Sequence, residues 1–315
     1  AIWQRLDETG LAARMHSGAA TPIVRDLLLS VHTPRYLDLL DKLSGLDRTV
    51  RLDADTYANP SSYEIARLAA GGAVRAVDAV MSGAATNALA AVRPPGHHAM
   101  PDHGMGFCLL GNIALAARYA QQQYGLSRIL IVDYDVHHGN GTEAMFYTDP
   151  SVLFISTHQQ GIYPGTGALE DAGAGKGAGY TINIPLPGGH GDATYAAIFE
   201  QIVWPAALRY QPELILVSAG YDAHWDDPLA GVHLSLSGYA HLTRELVRMA
   251  DQLCGGKIAF IVEGGYNLDV LSEGVANIAR VLLGEETVDP LGASPYSERA
   301  GVENVIARVK RVHGL

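Results

Sequence analysis

The distribution of apolar residues along this chain predicts a set of short, buried strands. The clearest is Ile129 to Val132, which contains only leucine and β-branched residues and is followed at once by acidic and histidine side chains. A run without any polar residue is typical of a strand covered on both faces, as in a parallel sheet. Further strands are predicted at Ala88–Val92, Val152–His158, Tyr180–Pro185, Glu213–Ser218 and Lys257–Val262.

The segments between these strands carry helical patterns. Helices are predicted near Trp3–Leu11, at Pro22–Ser30, from Pro34 onward, from Ser61 to about Met81, and at Asn112–Tyr124, Asp192–Tyr210, Ser237–Cys254, Asp269–Leu283 and Val302–Val312. Thr33 is expected to cap one helix, and Ser61 with Glu64 fits a capping box. Pro205 is expected to bend its helix. Alternating strands and helices predict an α/β fold with a mostly parallel sheet and helices on both faces. No linker interrupts residues 1–315, which predicts a single domain.

Polar residues gather where the predicted strands end. Asp133, Asp135 and His137 directly follow the clearest strand. Comparable clusters at the ends of other strands contain His97 and His98, Asp222, and Tyr266. Ligands of open parallel sheets bind beyond the carboxyl ends of the strands. Because residues i and i+2 of an extended chain point the same way, Asp135 and His137 can converge on one ion, with Asp133 behind them.

Two carboxylates and one imidazole predict a catalytic metal site. Asp135, His137 and Asp222 supply three ligands, which leaves room for water and a substrate carbonyl. Zinc (Zn²⁺) fits this set best, and Fe²⁺ is the alternative, because carboxylate and imidazole ligands discriminate poorly between such ions. An Asp-x-Asp or His-His pair alone is more often part of a solvated loop, so the prediction depends on the clusters occurring together.

A pair of histidines is predicted to transfer protons. The turn before His97 and His98 contains two prolines and a glycine, which fixes their presentation. We expect Asp133 to be the hydrogen-bond partner of His97, and Asn140 to be that of His98. A carboxylate keeps an imidazole more basic than an amide does, so His98 is the better general base and His97 the acid or electrostatic partner. Tyr266 can donate its phenol to the oxyanion of a tetrahedral intermediate.

The amino-acid composition and net charge limit the kinds of molecule that this protein is expected to bind. The chain has 315 residues and a formal net charge of −11, which argues against a nucleic-acid surface and suits cationic partners. No apolar run reaches the length that a membrane span requires. Cys108 and Cys254 are the two cysteines, so a reducing, cytoplasmic location is expected.

Five motifs, taken in order, resemble the zinc-dependent histone deacetylase family. The likeness is to its class II members and to its bacterial amidohydrolase, acetylpolyamine amidohydrolase and acetoin-utilisation relatives. The motifs are Arg93-Pro-Pro-Gly-His97-His98-Ala, Gly106-Phe107-Cys108, Asp133-Tyr-Asp135-Val-His137-His138-Gly-Asn140-Gly, Ala219-Gly-Tyr-Asp222-Ala and Glu263-Gly-Gly265-Tyr266-Asn-Leu. The resemblance implies the arginase/deacetylase fold, an open eight-stranded, mostly parallel sheet with helices on both faces.

The resemblance also implies roles for single residues. The family's zinc ligands correspond to Asp135, His137 and Asp222. Its catalytic residues correspond to His97, His98 and Tyr266, supported by Asp133 and Asn140. Its acyl-lysine channel corresponds to Phe107, Tyr163, Gly106, Leu229 and Gly265, and its rim carboxylate to Asp55. Its structural potassium ion (K⁺) corresponds to a site at Asp133, Asp135, His137, Ser156 and Thr157.

The chain departs from the family pattern in three ways. Gly111 stands where asparagine is common, which affects a helix start more than the site. Tyr163 replaces the more usual phenylalanine, which would make one channel wall more polar. The family's N-terminal strand is expected to be missing before Ala1.

The activity implied is hydrolysis of a short N-acyl group from a primary amine on a flexible alkyl stem. Acetyl-lysine in a protein or peptide is the first expected substrate. An acetylated polyamine is the alternative, because Asp55, Asp226 and Asp227 would suit a cationic tail. More distant alternatives are a two-metal ureohydrolase and a non-catalytic acyl-lysine binder, and a homo-oligomer is left open.

Overall fold

Eight strands form two sheets in the computed structural model, which describes residues 1–315. The strands are β1 (Val50–Arg51), β2 (Tyr57–Ala58), β3 (Asn87–Ala90), β4 (Ile129–Asp133), β5 (Val152–Gln159), β6 (Thr181–Leu186), β7 (Leu214–Ala219) and β8 (Ile258–Val262). The main sheet has six strands in the order β3-β8-β7-β4-β5-β6, and every neighbouring pair is parallel. β1 and β2 form a separate antiparallel pair.

Eleven α-helices connect or flank the strands. They are α1 (Ile2–Glu8), α2 (Arg25–Leu28), α3 (Pro34–Ser44), α4 (Ser62–Met81), α5 (Asn112–Tyr124), α6 (Asn140–Phe146), α7 (Asp192–Ile198), α8 (Trp204–Tyr210), α9 (Leu236–Cys254), α10 (Leu268–Leu282) and α11 (Val302–His313). Short 3₁₀ segments occur at Ala12–Arg14 and Gly175–Gly177. None of these helices combines the length and the apolar character that crossing a bilayer requires.

The main sheet separates two hydrophobic cores. In β4, Leu130 and Val132 pack into one core, whereas Ile129 and Ile131 pack into the core on the opposite face. Because side chains of a strand alternate between faces, burial on both sides requires a run without polar residues. The α/β fold predicted from such runs is therefore confirmed.

The number of strands in the main sheet differs from the expectation. The family resemblance implied eight, but six are present, because β1 and β2 pair only with each other. The edge strands β3 and β6 lie against α10 and α11, and no other extended segment of residues 1–315 pairs with them.

Local predictions had mixed outcomes. The Thr33 hydroxyl accepts the Tyr36 N–H, which confirms the cap of α3. The predicted capping box at Ser61 is wrong, because the Ser61 side chain makes no capping hydrogen bond. The backbone N–H of Ser61 instead donates to the side chain of Asn59 in a competing local turn. The helix containing Pro205 is interrupted by a π-helical turn at Phe199–Val203, directly before α8.

Strand register brings the chemically active ends together. Asp133, at the end of β4, is opposite Ser156 on β5 and Ser218 on β7. Ser218 is opposite Ile261 on β8. The loops that follow these strands therefore leave the same edge of the sheet, where ligands of parallel sheets bind.

Candidate active site

Three candidate metal ligands converge beyond β4 and β7. Asp135 and His137 follow β4, and Asp222 follows its neighbour β7. Their ligand atoms all lie within 4.8 Å of one another, and all three residues are buried. His137 Nδ1 is 3.0 Å from Asp222 Oδ2 and 3.3 Å from Asp135 Oδ1. Residues 135–137 form a bend rather than an extended strand, and the Asp135 carboxylate accepts the His137 N–H, so a tight local turn brings the two side chains together.

The electrostatics of this cluster fit a divalent cation. Burial, then the charge of Asp135, raises the pKa of Asp222 to about 7. Burial alone would also raise the pKa of Asp135, but His97 and His137 outweigh it and lower that pKa. Burial opposes the charge of His137, yet both aspartates raise its pKa to about 10. Two buried carboxylates and an imidazole this close together form a donor set whose negative charge a divalent ion would neutralise.

Two glycines let the backbone approach these carboxylates. A Cβ at Gly220 would lie 2.1 Å from Asp135 Oδ2, and one at Gly264 would lie 2.3 Å from Asp222 Oδ2. The Gly264 N–H instead donates to Asp135 Oδ2 at 2.8 Å. The glycines after β7 and β8 are therefore required by the site rather than by turn formation alone.

The two histidines have the hydrogen-bond partners expected from the sequence. His97 Nδ1 lies 3.1 Å from Asp133 Oδ2, and His98 Nδ1 lies 2.8 Å from Asn140 Oδ1. The ring centroids are 4.0 Å apart. Because the amide oxygen of Asn140 is an acceptor, His98 donates from Nδ1 and presents an unprotonated Nε2.

The surroundings of the two histidines give the two rings different charges. Burial opposes protonation of His97, but Asp135, Asp133 and Glu263 prevail and raise its pKa to about 10. Burial, then the charge of His97, lowers the pKa of His98 well below its usual value. One ring is therefore held protonated beside a neutral one, an arrangement suited to acid–base chemistry.

A buried carboxylate that sequence reasoning left without a role holds the histidine turn. Glu263 follows β8, and its Oε2 accepts the N–H groups of Gly96 at 2.7 Å and His97 at 3.2 Å. Its Oε1 accepts the hydroxyl of Ser218. Glu263 occurs within a motif quoted above, but only the folded register reveals its partners.

A cavity of about 220 Å³ reaches these groups from the surface. Its lining consists of Asp55, His98, Gly106, Phe107, His137, Ile162, Tyr163, Leu229 and Tyr266. The Tyr163 ring meets His98 edge to face at 5.1 Å, and Phe107 meets Tyr266 at 6.0 Å. Burial, reinforced by Asp135 and Asp222, raises the pKa of Tyr266, so its phenol stays protonated and can donate.

Phe107 adopts a left-handed backbone conformation with φ of 65°. Such a conformation is uncommon for a bulky residue and needs local support. The hydroxyl of buried Thr56 accepts the Phe107 N–H at 3.0 Å, and Thr56 also donates to Asp55. The loop that carries Asp55 therefore supports the aromatic wall as well as forming part of the rim.

Several predicted site residues lie elsewhere. Gly265 does not line the cavity: its φ of 130° requires glycine, and a Cβ there would press on Tyr221 and Leu271. Asp227, expected at the rim, is buried and accepts backbone N–H groups.

Two of the residues predicted to bind potassium have hydrogen-bond partners within the protein. The Ser156 hydroxyl contacts His158 Nδ1, and the Thr157 hydroxyl donates to the Asp133 carbonyl.

Ile162 lines the cavity without having been predicted. Its position beside Tyr163 in the glycine-rich loop was the only signal.

Known proteins resemble this chain over most of its length. The family described as histone deacetylase domain matches residues 1–282. Histone deacetylase 14, chloroplastic, from Arabidopsis thaliana is 44% identical over 310 residues, which cover 94% of this chain and 73% of that protein. Polyamine deacetylase HDAC10 from Mus musculus is 41% identical over 300 residues, which cover 91% of this chain and 44% of that protein. The family resemblance drawn from the five motifs is confirmed.

A solved structure has the same fold. The crystal structure of the HDA15 HD domain matches with a TM-score of 0.90 and 39% identity, covering 99% of this chain and 85% of that one. The likeness extends the agreement from sequence motifs to the whole arrangement of helices and strands.

Proposed function

Because the chain belongs to the histone deacetylase family, we propose that it is a zinc-dependent deacetylase that hydrolyses the amide of N-acetyl-lysine in a protein or peptide. One observation carries the proposal. A single cavity with largely apolar walls leads to His98, His137 and Tyr266, and His137 in turn contacts Asp135 and Asp222.

Asp135, His137 and Asp222 would hold the metal ion. We expect zinc, with Fe²⁺ as the alternative, because the donor set has two carboxylate oxygens and one imidazole nitrogen. When bound, the ion supplies a Lewis acid that polarises an amide carbonyl and acidifies water.

The protein's own residues move the protons. His98 presents Nε2 as the general base and takes a proton from the water that attacks the carbonyl carbon. The charge of His97, held by Asp133, keeps His98 neutral before the attack. Tyr266 donates its phenol to the developing oxyanion. The amide C–N bond then breaks, the proton passes to the leaving amine, and acetate and the free amine are the products.

The shape of the cavity supports an acyl group on an alkyl stem. Phe107, Ile162, Tyr163 and Leu229 line it, and its volume of about 220 Å³ suits a slender chain rather than a bulky ring system. Leu229 is 48% exposed at the mouth and carries no charge. This apolar side of the mouth favours a lysine stem whose peptide remains outside.

An acetylated polyamine is the second candidate. Asp55 also lines the cavity, so a carboxylate is available to a distant ammonium group. The polyamine deacetylase HDAC10 of Mus musculus is 41% identical to this chain. Asp227 gives no support, because its carboxylate is buried in backbone contacts.

The two remaining alternatives have less support. A ureohydrolase needs carboxylates for a second metal ion, whereas Asn140 faces His98 and His138 faces Thr166. A non-catalytic binder is expected to lack a ligand or the tyrosine, and Tyr266 lines the cavity.

We further propose that residues 1–315 form one catalytic domain, because both cores share the main sheet. The structural potassium stays a prediction, as do homo-oligomer formation and the cytoplasmic location. The free thiols of Cys108 and Cys254 agree with a reducing compartment.

Acetate release tests the proposed activity. The zinc-loaded protein is assayed side by side on an acetyl-lysine peptide and an N-acetylated polyamine, and kcat/KM is compared. A higher value for the peptide supports the first proposal, and a higher value for the polyamine supports the second. Absence of acetate release from either, in protein that retains zinc, would contradict both.

Tyr266→Phe tests the mechanism. Removing the phenol hydroxyl should lower kcat roughly 100-fold or more, because the oxyanion loses a donor. Zinc content should not change. Tyr296→Phe, which removes the hydroxyl of an exposed tyrosine, is the matched control. A Tyr266→Phe enzyme with wild-type kcat would remove the phenol from the mechanism.

A further inference from the structure

We infer that Asp227 is a positioning residue that holds Tyr266 in place and ties it to the mouth of the cavity. The inference rests on the proposed function for its catalytic consequence, but the contact itself does not. Asp227 precedes Leu229 in the loop after β7, whereas Tyr266 follows β8. The carboxylate therefore connects two loops that are distant in sequence.

The contacts of Asp227 are all with backbone N–H groups. Its Oδ2 accepts the N–H of Tyr266 at 2.8 Å and that of Asn267 at 3.2 Å. Its Oδ1 accepts the N–H of Leu229 at 3.0 Å. Asp227 is 6% exposed, and its three hydrogen bonds are partly buried, so loss of the carboxylate would leave these N–H groups without their protein acceptor.

Tyr266 needs such a support because Gly265, which separates it from the hydrogen-bonded Gly264, has no side chain to restrict its backbone. Gly264 and Gly265 directly precede it, and Gly265 has a φ of 130°. Glycine has no side chain to restrict rotation about its φ and ψ bonds, so its backbone is the least constrained of all residue types. The N–H groups of Tyr266 and Asn267 are the next points at which the backbone can be fixed, and both donate to the same oxygen of Asp227.

The second carboxylate oxygen extends the connection to the cavity wall. Leu229 and Tyr266 both line the cavity, and Asp227 accepts an N–H from each of them. A displacement of the Leu229 loop would therefore be transmitted to the tyrosine backbone. A small misplacement of a catalytic group lowers turnover steeply.

The neighbouring Asp226 supplies a matched control. It is exposed, and its carboxylate accepts from the Asn267 side chain rather than from the backbone of Tyr266. Replacing Asp226 removes the same charge one residue away without releasing the Tyr266 N–H. Asp227→Asn is the conservative variant, because one amide oxygen can still accept from Tyr266 and Asn267.

A double-mutant cycle tests the inference. The variants are Asp227→Ala, Asp227→Asn and Asp226→Ala, each in the wild-type and Tyr266→Phe backgrounds, with kcat measured for acetate release. In the wild-type background, Asp227→Ala should lower kcat roughly 10- to 100-fold, with Asp227→Asn intermediate. In the Tyr266→Phe background, the same substitution should have little further effect, because Asp227 acts through the phenol.

Hydrogen exchange provides a readout that does not depend on activity. Exchange at the amides of residues 266 and 267 should accelerate in Asp227→Ala relative to both wild type and Asp226→Ala. Equal kcat losses in the two backgrounds, or unchanged exchange, would overturn the inference. If Asp227→Ala does not fold, the double-mutant cycle is measured with Asp227→Asn instead. Accelerated exchange in a protein that releases no acetate would reject the proposed function and retain the positioning role.

Discussion

At the scale of single residues, the three acidic side chains after β4 and β7 differ in what they contact. Asp133 faces His97, whereas Asp135 and Asp222 face His137. Asp222 also accepts the Val136 N–H, so it joins the loop after β7 to the loop after β4. The division follows from the bend at residues 135–137, which turns the chain beyond β4, and from the register of β4 and β7.

Removal of Asp222 should abolish metal binding. Asp222→Ala eliminates one of the three candidate ligands and leaves His137 with a single carboxylate neighbour. If the three residues hold zinc as proposed, less than about a tenth of the wild-type zinc should remain after dialysis. Metal content by mass spectrometry is the measurement. Asp226→Ala should stay fully loaded, and a fully loaded Asp222→Ala protein would remove Asp222 from the ligand set.

The roles of residues that depend on their neighbours along the chain could be predicted from the sequence. The i, i+2 spacing sufficed for Asp135 and His137. Asp227 and Ile162 could not be assigned in this way, because their roles depend on which loops meet in the folded chain. An acidic residue in a polar loop is usually solvated, and Asp227 departs from that expectation only because three N–H groups converge on it.

At the scale of elements, buried strands were easier to predict than helix ends. β4, β5, β7 and β8 are runs of apolar residues covered on both faces, so their burial is visible in composition alone. The helix α4 does begin after Ser61, as expected, but its side-chain cap was mispredicted because Asn59 offers the backbone a competing local hydrogen bond. The brief β1–β2 pair was not predicted, because two-residue strands leave no periodic signal in the sequence.

Glu263 should stabilise the turn after β3 from the end of β8. Glu263→Ala leaves two buried N–H groups and the Ser218 hydroxyl without their acceptor. The unfolding free energy should fall by about 3 kcal/mol. Glu263→Gln, which retains an acceptor oxygen, should lose less than half as much. Urea denaturation of both variants is the measurement, and equal losses would show that charge rather than hydrogen bonding matters.

At the scale of the whole molecule, buried neutral histidines make stability depend on pH. His32 connects the segment before α3 to two others: its Nε2 accepts the Gly111 N–H, and its Nδ1 lies 3.1 Å from the Met100 carbonyl. Burial lowers its pKa to about 4. Protonation of Nε2 would place a donor against the Gly111 N–H, so the folded state resists it.

Acid should therefore destabilise the protein through His32. Since its pKa is 6.5 in the unfolded chain and about 4 in the folded one, the unfolded state binds the proton first. The stabilisation is complete above pH 6.5 and is lost as the pH falls toward 4, by about 3 kcal/mol. In urea titrations over this range, His32→Gln should show a shallower decline than wild type or the exposed His16→Gln control. Parallel declines would exclude His32.

The order of strands has a consequence for how the protein is made. β3, which leads into the histidine turn, pairs only with β8, the last strand of the main sheet to be synthesised. Until residues 258–262 leave the ribosome, β3 has no partner and the turn lacks Glu263. The nascent chain therefore exposes the edges of both β3 and β7, which are templates for aggregation. Synthesis of residues 258–266 fills the gap between β3 and β7 and supplies Glu263 and Tyr266 to the candidate active site, so no N-terminal fragment that ends before residue 266 should be active.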